Sequence, residues 1–183
     1  MVDAAGATAA DLARLPLFAD VDRSDLEDLC RVAPPVVLAA GTPVFAQGAR
    51  ADVALLVVAG ELEVAVGEGG RRTVLGKIAP GEVVGELALV EPERTRLATV
   101  TATRATTCIL LSPDLLAVVT RNAAWAAIER HLLRSLVRRV RETERALHEA
   151  WKAAQPAPDR PAARAAAAPS LRERLRGFVG RGT

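Results

Sequence analysis

Glu86 and Arg96 are the side chains whose types and spacing suggest chemistry, and both lie in the stretch from Val84 to Val100. Gly85 precedes what reads as one short helical turn, Glu86 to Val90, broken by Pro92. A glycine beside the free N–H groups of a helix start makes an anion site. Arg96, ten residues after Glu86, leads into a β-like run from Leu97 to Thr101. It offers the planar, bidentate donor geometry that suits phosphate. A carboxylate repels a bare phosphate, so Glu86 asks for a ligand that also carries hydroxyls. Ionised, it only accepts hydrogen bonds, and hydroxyls donate them. The set points to a small phosphorylated sugar, nucleotides included.

The elements that must position these residues can be read along the chain. Residues 1–10 are rich in Ala and Gly and are expected to fray. Asp11 to Leu15 suits a helical turn that Pro16 ends. Asp22 or Ser24 can cap a helix reaching about Val32, with Leu26, Leu29 and Cys30 on one buried face. After Pro34-Pro35 the pattern turns to β. Short strands are expected at Val36–Leu38, Val44–Phe45, Val53–Val58, Glu61–Val66, Thr73–Ile78, Val83–Val84, Val100–Thr103 and Thr107–Leu111, with Gly67-Glu68-Gly69-Gly70 as a hairpin turn. Strands this short, at turn spacings of roughly eight to twelve residues, suggest a sandwich or a barrel-like roll. Ser112 and Pro113 open helical structure as cap and first residue. A long helix follows over residues 123–153. In it Leu133, Leu136, Val140, Thr143, Leu147 and Ala150 recur at spacings of three and four, a coiled-coil type of seam. Such a seam either pairs with a twin or packs on the strands. Residues 154–183 turn to Pro, Ala and Arg and read as a disordered linker, ending in a short basic amphipathic segment over 170–179 that fits weak contact with a membrane surface or a partner.

Composition narrows the function classes. Of 183 residues 50% are hydrophobic but only 3% aromatic, so the core must be built from Leu, Val, Ile and Ala. The formal net charge is +2, yet residues 156–183 carry six Arg against Asp159 and Glu173, which leaves −2 for residues 1–155. A slightly acidic body disfavours direct DNA binding. Cys30 and Cys108 each sit in an apolar run and are expected to be buried thiols. His131 and His148 both fall on the long helix and are expected at its surface, so no metal triad assembles. Ser24, Ser112 and Ser135 have capping or surface explanations, and no nucleophile–base set emerges, which argues against an enzyme. The N-terminus lacks a basic segment followed by an apolar one, and no window is long enough to span a membrane. The default expectation is a cytoplasmic protein.

With these pieces placed, the chain resembles the cyclic nucleotide-binding domain, the β-roll of catabolite activators and of protein kinase regulatory subunits, over residues 11–153. The resemblance rests on Leu15-Pro16-Leu17-Phe18 before an acidic helix, on Gly60 before an alternating strand, and on Pro80-Gly81-Glu82 leading to Gly85-Glu86-Leu87-Ala88-Leu89. Arg96 completes it at the activator spacing, and the run Leu97-Ala98-Thr99-Val100 favours it over Arg94. The resemblance implies a mainly β fold with flanking helices: a double-stranded, jelly-roll-like β-roll, then a long dimer-type helix and a disordered basic tail.

It also implies site roles. Gly85 and the amides of Glu86, Leu87 and Ala88 would line the ligand. Glu86 would accept from the ribose 2′-hydroxyl, Arg96 would neutralise the cyclic phosphate, and the amides of Leu97 and Ala98 would help hold it. Thr143 would meet the base. Leu97 stands where relatives use a hydroxyl to hold guanine, which favours cyclic AMP over cyclic GMP. The activators continue into a helix-turn-helix domain, and the residues after 153 are too few for one. The expectation is therefore a non-catalytic cyclic nucleotide sensor without a metal, acting as a homodimer through residues 133–150 or through an unidentified protein partner. A degenerate roll used for docking or oligomerisation, or a transcription regulator acting through a partner, is the alternative.

Overall fold

The computed structural model describes residues 7–68, 70–91, 94–118 and 122–154. They fall into two compact units, residues 1–139 and residues 140–183, the second described as far as Ala154. Three helical pieces come first: α1 (Ala9–Leu12), a 3-10 turn at Pro16–Phe18, and α2 (Arg23–Val32). The strands follow as β1 (Pro35–Leu38), β2 (Pro43–Phe45), β3 (Ala54–Ala59), β4 (Leu62–Glu68), β5 (Arg71–Ile78) and β6 (Val83–Val84). A one-turn helix, α3 (Leu87–Val90), interrupts them before β7 (Thr99–Ala102) and β8 (Thr106–Leu111). Helices α4 (Pro113–Val118) and α5 (Ala123–Ala154) complete the order.

Among the described residues the strands form two antiparallel sheets of four, in the orders β1-β8-β3-β6 and β2-β7-β4-β5. The expected mainly β roll with flanking helices and a long C-terminal helix is therefore what the chain forms. Strand β3 explains why its sequence is apolar without alternation. Leu55 and Val57 face a core between the sheets, with Leu38, Phe45, Leu62, Val84, Val100, Ala102 and Cys108. Ala54, Leu56 and Val58 face a second core, shared with Leu12, Phe18, Leu26, Leu29, Trp125 and Ile128 from the helices. A strand buried on both faces has no polar side to display. In β4 the expected period-two alternation breaks: the buried residues Leu62 and Ala65 are three apart, because a bulge between Val64 and Ala65 shifts the register.

Several local expectations shift. The first helical turn starts at Ala9, because Thr8 and Asp11 form a reciprocal capping box. Ala9 is buried in the core, so the frayed stretch expected over 1–10 does not extend that far, and residues 1–6 lie outside the described residues. Strands β4 and β5 pair as far as Glu68↔Arg71, a tighter hairpin than the sequence suggested, and Gly69 of its turn lies outside the described residues. Pro92 does too, as do residues 155–183, which hold the expected linker and the 170–179 segment. Ser112 caps α4 through its hydroxyl, which accepts from Leu115 N at 3.3 Å. Cys108 is buried, but Cys30 is only half-buried at the edge of the helical core.

On α5, Ala124, Trp125, Ala127 and Ile128 join the core, whereas the seam residues Leu133, Val140, Thr143, Leu147 and Ala150 are exposed and Leu136 is half-buried. Asn122, which the sequence reading did not single out, sets where α5 begins. Its Oδ1 accepts from Ala124 N at 2.8 Å, and its Nδ2 donates to Asp25 O at 2.9 Å.

Gly60 holds the roll's tightest approach. It sits at φ +96°, and an added Cβ would lie 2.4 Å from Thr106 Oγ1 and 2.5 Å from Thr106 Cα. The buried Thr106 hydroxyl in turn accepts from Glu61 N at 3.0 Å and lies 2.8 Å from Arg104 O, tying the β3–β4 turn to β8. Both the backbone angle and the backbone clash oppose any side chain here. Gly60→Ala is expected to lower unfolding free energy by about 3 kcal/mol or more, measured by urea denaturation. Stability equal to that of the parent chain would contradict this reading of the turn.

Candidate functional site

Strand β6 ends at the buried Val84, and Gly85 then turns the chain at φ +79°. The turn is crowded: a Cβ on Gly85 would come 2.7 Å from Arg96 Nη1 and 2.9 Å from Phe45 Cε2. Glu86 follows as the residue before α3, already in helical conformation, and its side chain makes no capping bond. The carboxylate is thus not used by its own helix, although it is buried. Ala88 donates its amide to Gly85 O at 3.1 Å and Leu89 donates to Glu86 O at 3.0 Å. The Ala88 amide, expected to face a ligand, is therefore engaged within the turn. The helix-start donors that remain are those of Glu86 and Leu87.

Arg96 is fixed from its backbone outward. Its N–H donates to Ala49 O at 2.7 Å, and its carbonyl accepts from Gly48 N at 2.8 Å. Its side chain is only 6% exposed. The guanidinium carbon lies 3.6 Å from the centre of the Phe45 ring. Nη2 makes a long contact of 3.4 Å with Asp52 Oδ1, and Nη1 has no hydrogen-bond partner among the described residues. Burial draws the pKa of this arginine below its ordinary value, and Asp52 only partly opposes it. Arg94 is built differently. It is exposed and pairs with Glu91, its Nε 2.8 Å from the Glu91 carboxylate.

These residues surround a cavity of about 180 Å³. All seven residues expected here from the first unit line it: Gly85, Glu86, Leu87, Ala88, Arg96, Leu97 and Ala98. Leu97 lies at the rim, 67% exposed. Thr143, the eighth, is an exposed residue of the second unit. Sequence reasoning missed three contributors. Phe45 reaches the site because it pairs opposite Val100 across β2 and β7, a register that no local pattern reveals. Asp52 lies in the loop before β3. Arg139 lines the cavity and forms an ion pair from its Nη1 to Glu86 Oε1. Its signal was readable, since it precedes Thr143 by four residues and so lies on the same face of α5.

His131 departs from the surface position expected for it. It is half-buried beside a water-sized cavity of about 30 Å³ that Glu82, Glu86, Ser135 and Arg138 also line. Burial first, and then Arg138, lowers its pKa. Burial also pushes the Cys108 thiol up to about 12, which leaves it inert at neutral pH. Among the described residues, no group of three or more His, Cys, Asp or Glu is placed to hold a metal ion. No helix among them is long and apolar enough to cross a membrane.

An unsatisfied buried guanidinium, a buried carboxylate and a glycine turn around one cavity are the groups that a ligand with both phosphate and hydroxyls would require. Comparison with known proteins leads to the same place. The family model for the cyclic nucleotide-binding domain matches residues 35–122. The N-terminal domain of a transcriptional regulator from Streptomyces coelicolor A3(2) is 32% identical, with 75% of this chain and 94% of that one covered and a TM-score of 0.56. A cyclic nucleotide-binding-like protein from Brucella abortus bv. 1 str. 9-941 is 28% identical over 61% of this chain and 96% of that one, with a TM-score of 0.51. The catabolite activator protein of Thermus thermophilus is 27% identical over 73% of this chain and 62% of that one, with a TM-score of 0.60. No curated protein sequence matches the chain. The family match spans all the strands of the roll, and the chain belongs to the cyclic nucleotide-binding domain family.

Proposed function

We propose that the chain is a non-catalytic cyclic nucleotide sensor with cyclic AMP as its favoured ligand. The observation that carries this reading is Arg96, a residue that lines the cavity and whose buried Nη1 has no hydrogen-bond partner among the described residues. Leaving such a donor unmade costs about 1–3 kcal/mol, more for a charged group. A cyclic phosphate recovers that cost. The ribose 2′-hydroxyl donates to Glu86, and the amides of Leu97 and Ala98 add donors at the rim. Leu97 offers no hydroxyl to guanine, which favours adenine, and Thr143 is the candidate base contact.

Signalling follows from the pair between Glu86 and Arg139. A ligand that bonds Glu86 changes what the carboxylate offers to α5, so bound and free states favour different arrangements of that helix. The exposed Leu133, Val137, Val140 and Leu147 give α5 an apolar stripe suited to a second copy of the chain. Homodimerisation through residues 133–150 is thus part of the proposal, with a separate protein partner as the other recipient of the signal. Two free thiols suit a reducing cytoplasm. Nothing in the site favours direct DNA contact. A roll that has lost its ligand and serves only for docking is the competing reading, and it leaves the orphaned Arg96 donor without a purpose.

Titration monitored by thermal unfolding separates the two. Cyclic AMP at a hundredfold excess over Kd should stabilise the chain by about 2.7 kcal/mol, or roughly 5–10 °C in Tm, with a smaller shift for cyclic GMP and none for ATP. No shift with either cyclic nucleotide at millimolar concentration sinks the sensor reading. In the same assay Arg96→Ala and Glu86→Ala should each weaken cyclic AMP binding by about tenfold to a hundredfold, the loss of one charge-assisted bond. Unchanged affinity in both would remove these residues from the site.

A further inference from the structure

We infer that Phe45 is a positioning residue for the ligand's anion, acting through Arg96. This rests on the ligand reading above and adds to it a residue that makes no polar contact of its own. The geometry is specific. Phe45 is 9% exposed, and its ring lies under the guanidinium with 3.6 Å between the Arg96 carbon and the ring centre. Gly85 closes the stack, since any Cβ there would meet both Arg96 Nη1 and Phe45 Cε2 within 3 Å.

A buried arginine has to be held by something. A carboxylate or carbonyl would hold it by consuming N–H donors that lie in the guanidinium plane. An aromatic face holds it from above the plane, where the ring's negative potential meets the cation and no donor is used. Arg96 shows that result. Among the described residues the one polar contact of its side chain is the long one to Asp52, and the buried Nη1 has no hydrogen-bond partner. Phe45 thus stabilises the cation while leaving its in-plane donors for an anion, and it fixes the plane in which those donors point. Loss of the ring costs the orientation of Arg96 even though Arg96 itself remains.

The test is calorimetric titration of the full chain with cyclic AMP. Phe45→Leu keeps an apolar side chain and removes the ring, and should weaken binding by roughly tenfold, as expected for a desolvated cation–π contact. Because Leu can also disturb packing, a second variant carries pentafluorophenylalanine at position 45. This keeps the ring's outline and reverses the potential of its face, so affinity should again fall by roughly tenfold while the ligand-free Tm changes little. Parent-like affinity in the fluorinated variant overturns the inference, since a purely structural role would survive the exchange. Binding by the parent chain with no loss in either variant overturns the role of Phe45 alone. Absence of cyclic AMP binding by the parent chain overturns the sensor reading, and this inference falls with it.

Discussion

Burying a guanidinium is costly unless its charge and its donors find compensation, and the arrangement around Arg96 follows from how that cost is met. The aromatic face of Phe45 covers one side and the exposed Asp52 reaches one nitrogen. Gly85 must be glycine, because a side chain would collide with both the cation and its ring. The backbone of Ala49 and Gly48 clamps the residue from behind through two short hydrogen bonds. What remains uncompensated is Nη1 of a residue that lines the cavity. Backbone, ring and glycine together hold one cation in place there, which is what the proposed anion would require.

The rest of the roll keeps that presentation rigid. Strand β3 is buried between two cores, one inside the roll and one under the helices, so neither sheet can shift without disturbing both. Thr106 and Gly60 lock the β3–β4 turn to β8. Asn122 ties the start of α5 to the backbone of α2. The helices at both ends of the first unit therefore share one core with the outer face of β3, and Glu86 with Arg139 adds a polar tie between the site and α5.

Much of this was legible in the sequence, for reasons that differ from part to part. The strands were marked by Gly and Pro between short apolar runs, signals that act locally and so survive in one dimension. Glu86 and Arg96 were found because their chemistry stands out in an apolar stretch, and both line the cavity. Phe45 was not legible. In the sequence it is one more apolar strand residue, and its role arises only from the register that brings β2 beside β7. Asp52 is hidden for a similar reason, since a loop aspartate signals nothing until the arginine it faces is known. The Ala88 amide is engaged within its own turn because the turn closes through Gly85 O, a closure no local pattern marks. His131 is half-buried because the early turns of the long helix pack beside the strands of the first unit, which its own periodicity does not show.

Charge balance gives the site its direction of response. Three arginines line the cavity, each paired with a carboxylate: Arg96 with Asp52, Arg139 with Glu86 and Arg94 with Glu91. As a set they are neutral, so an entering phosphate monoanion leaves the site one negative charge in excess. The cheapest relief is to return a carboxylate to water. Asp52 is 71% exposed and sits at a long 3.4 Å, whereas Glu86 is only 10% exposed. Hydration of the released group is nearly free for Asp52 and expensive for Glu86. For the proposed ligand, the anion would therefore displace Asp52 from Arg96, and Glu86 would stay in place to take the sugar hydroxyl. An additional acceptor load on Glu86 would weaken its hold on Arg139, the α5 residue that lines this cavity. Under that proposal, ligand charge is converted at two adjacent pairs into a changed tie to the helix.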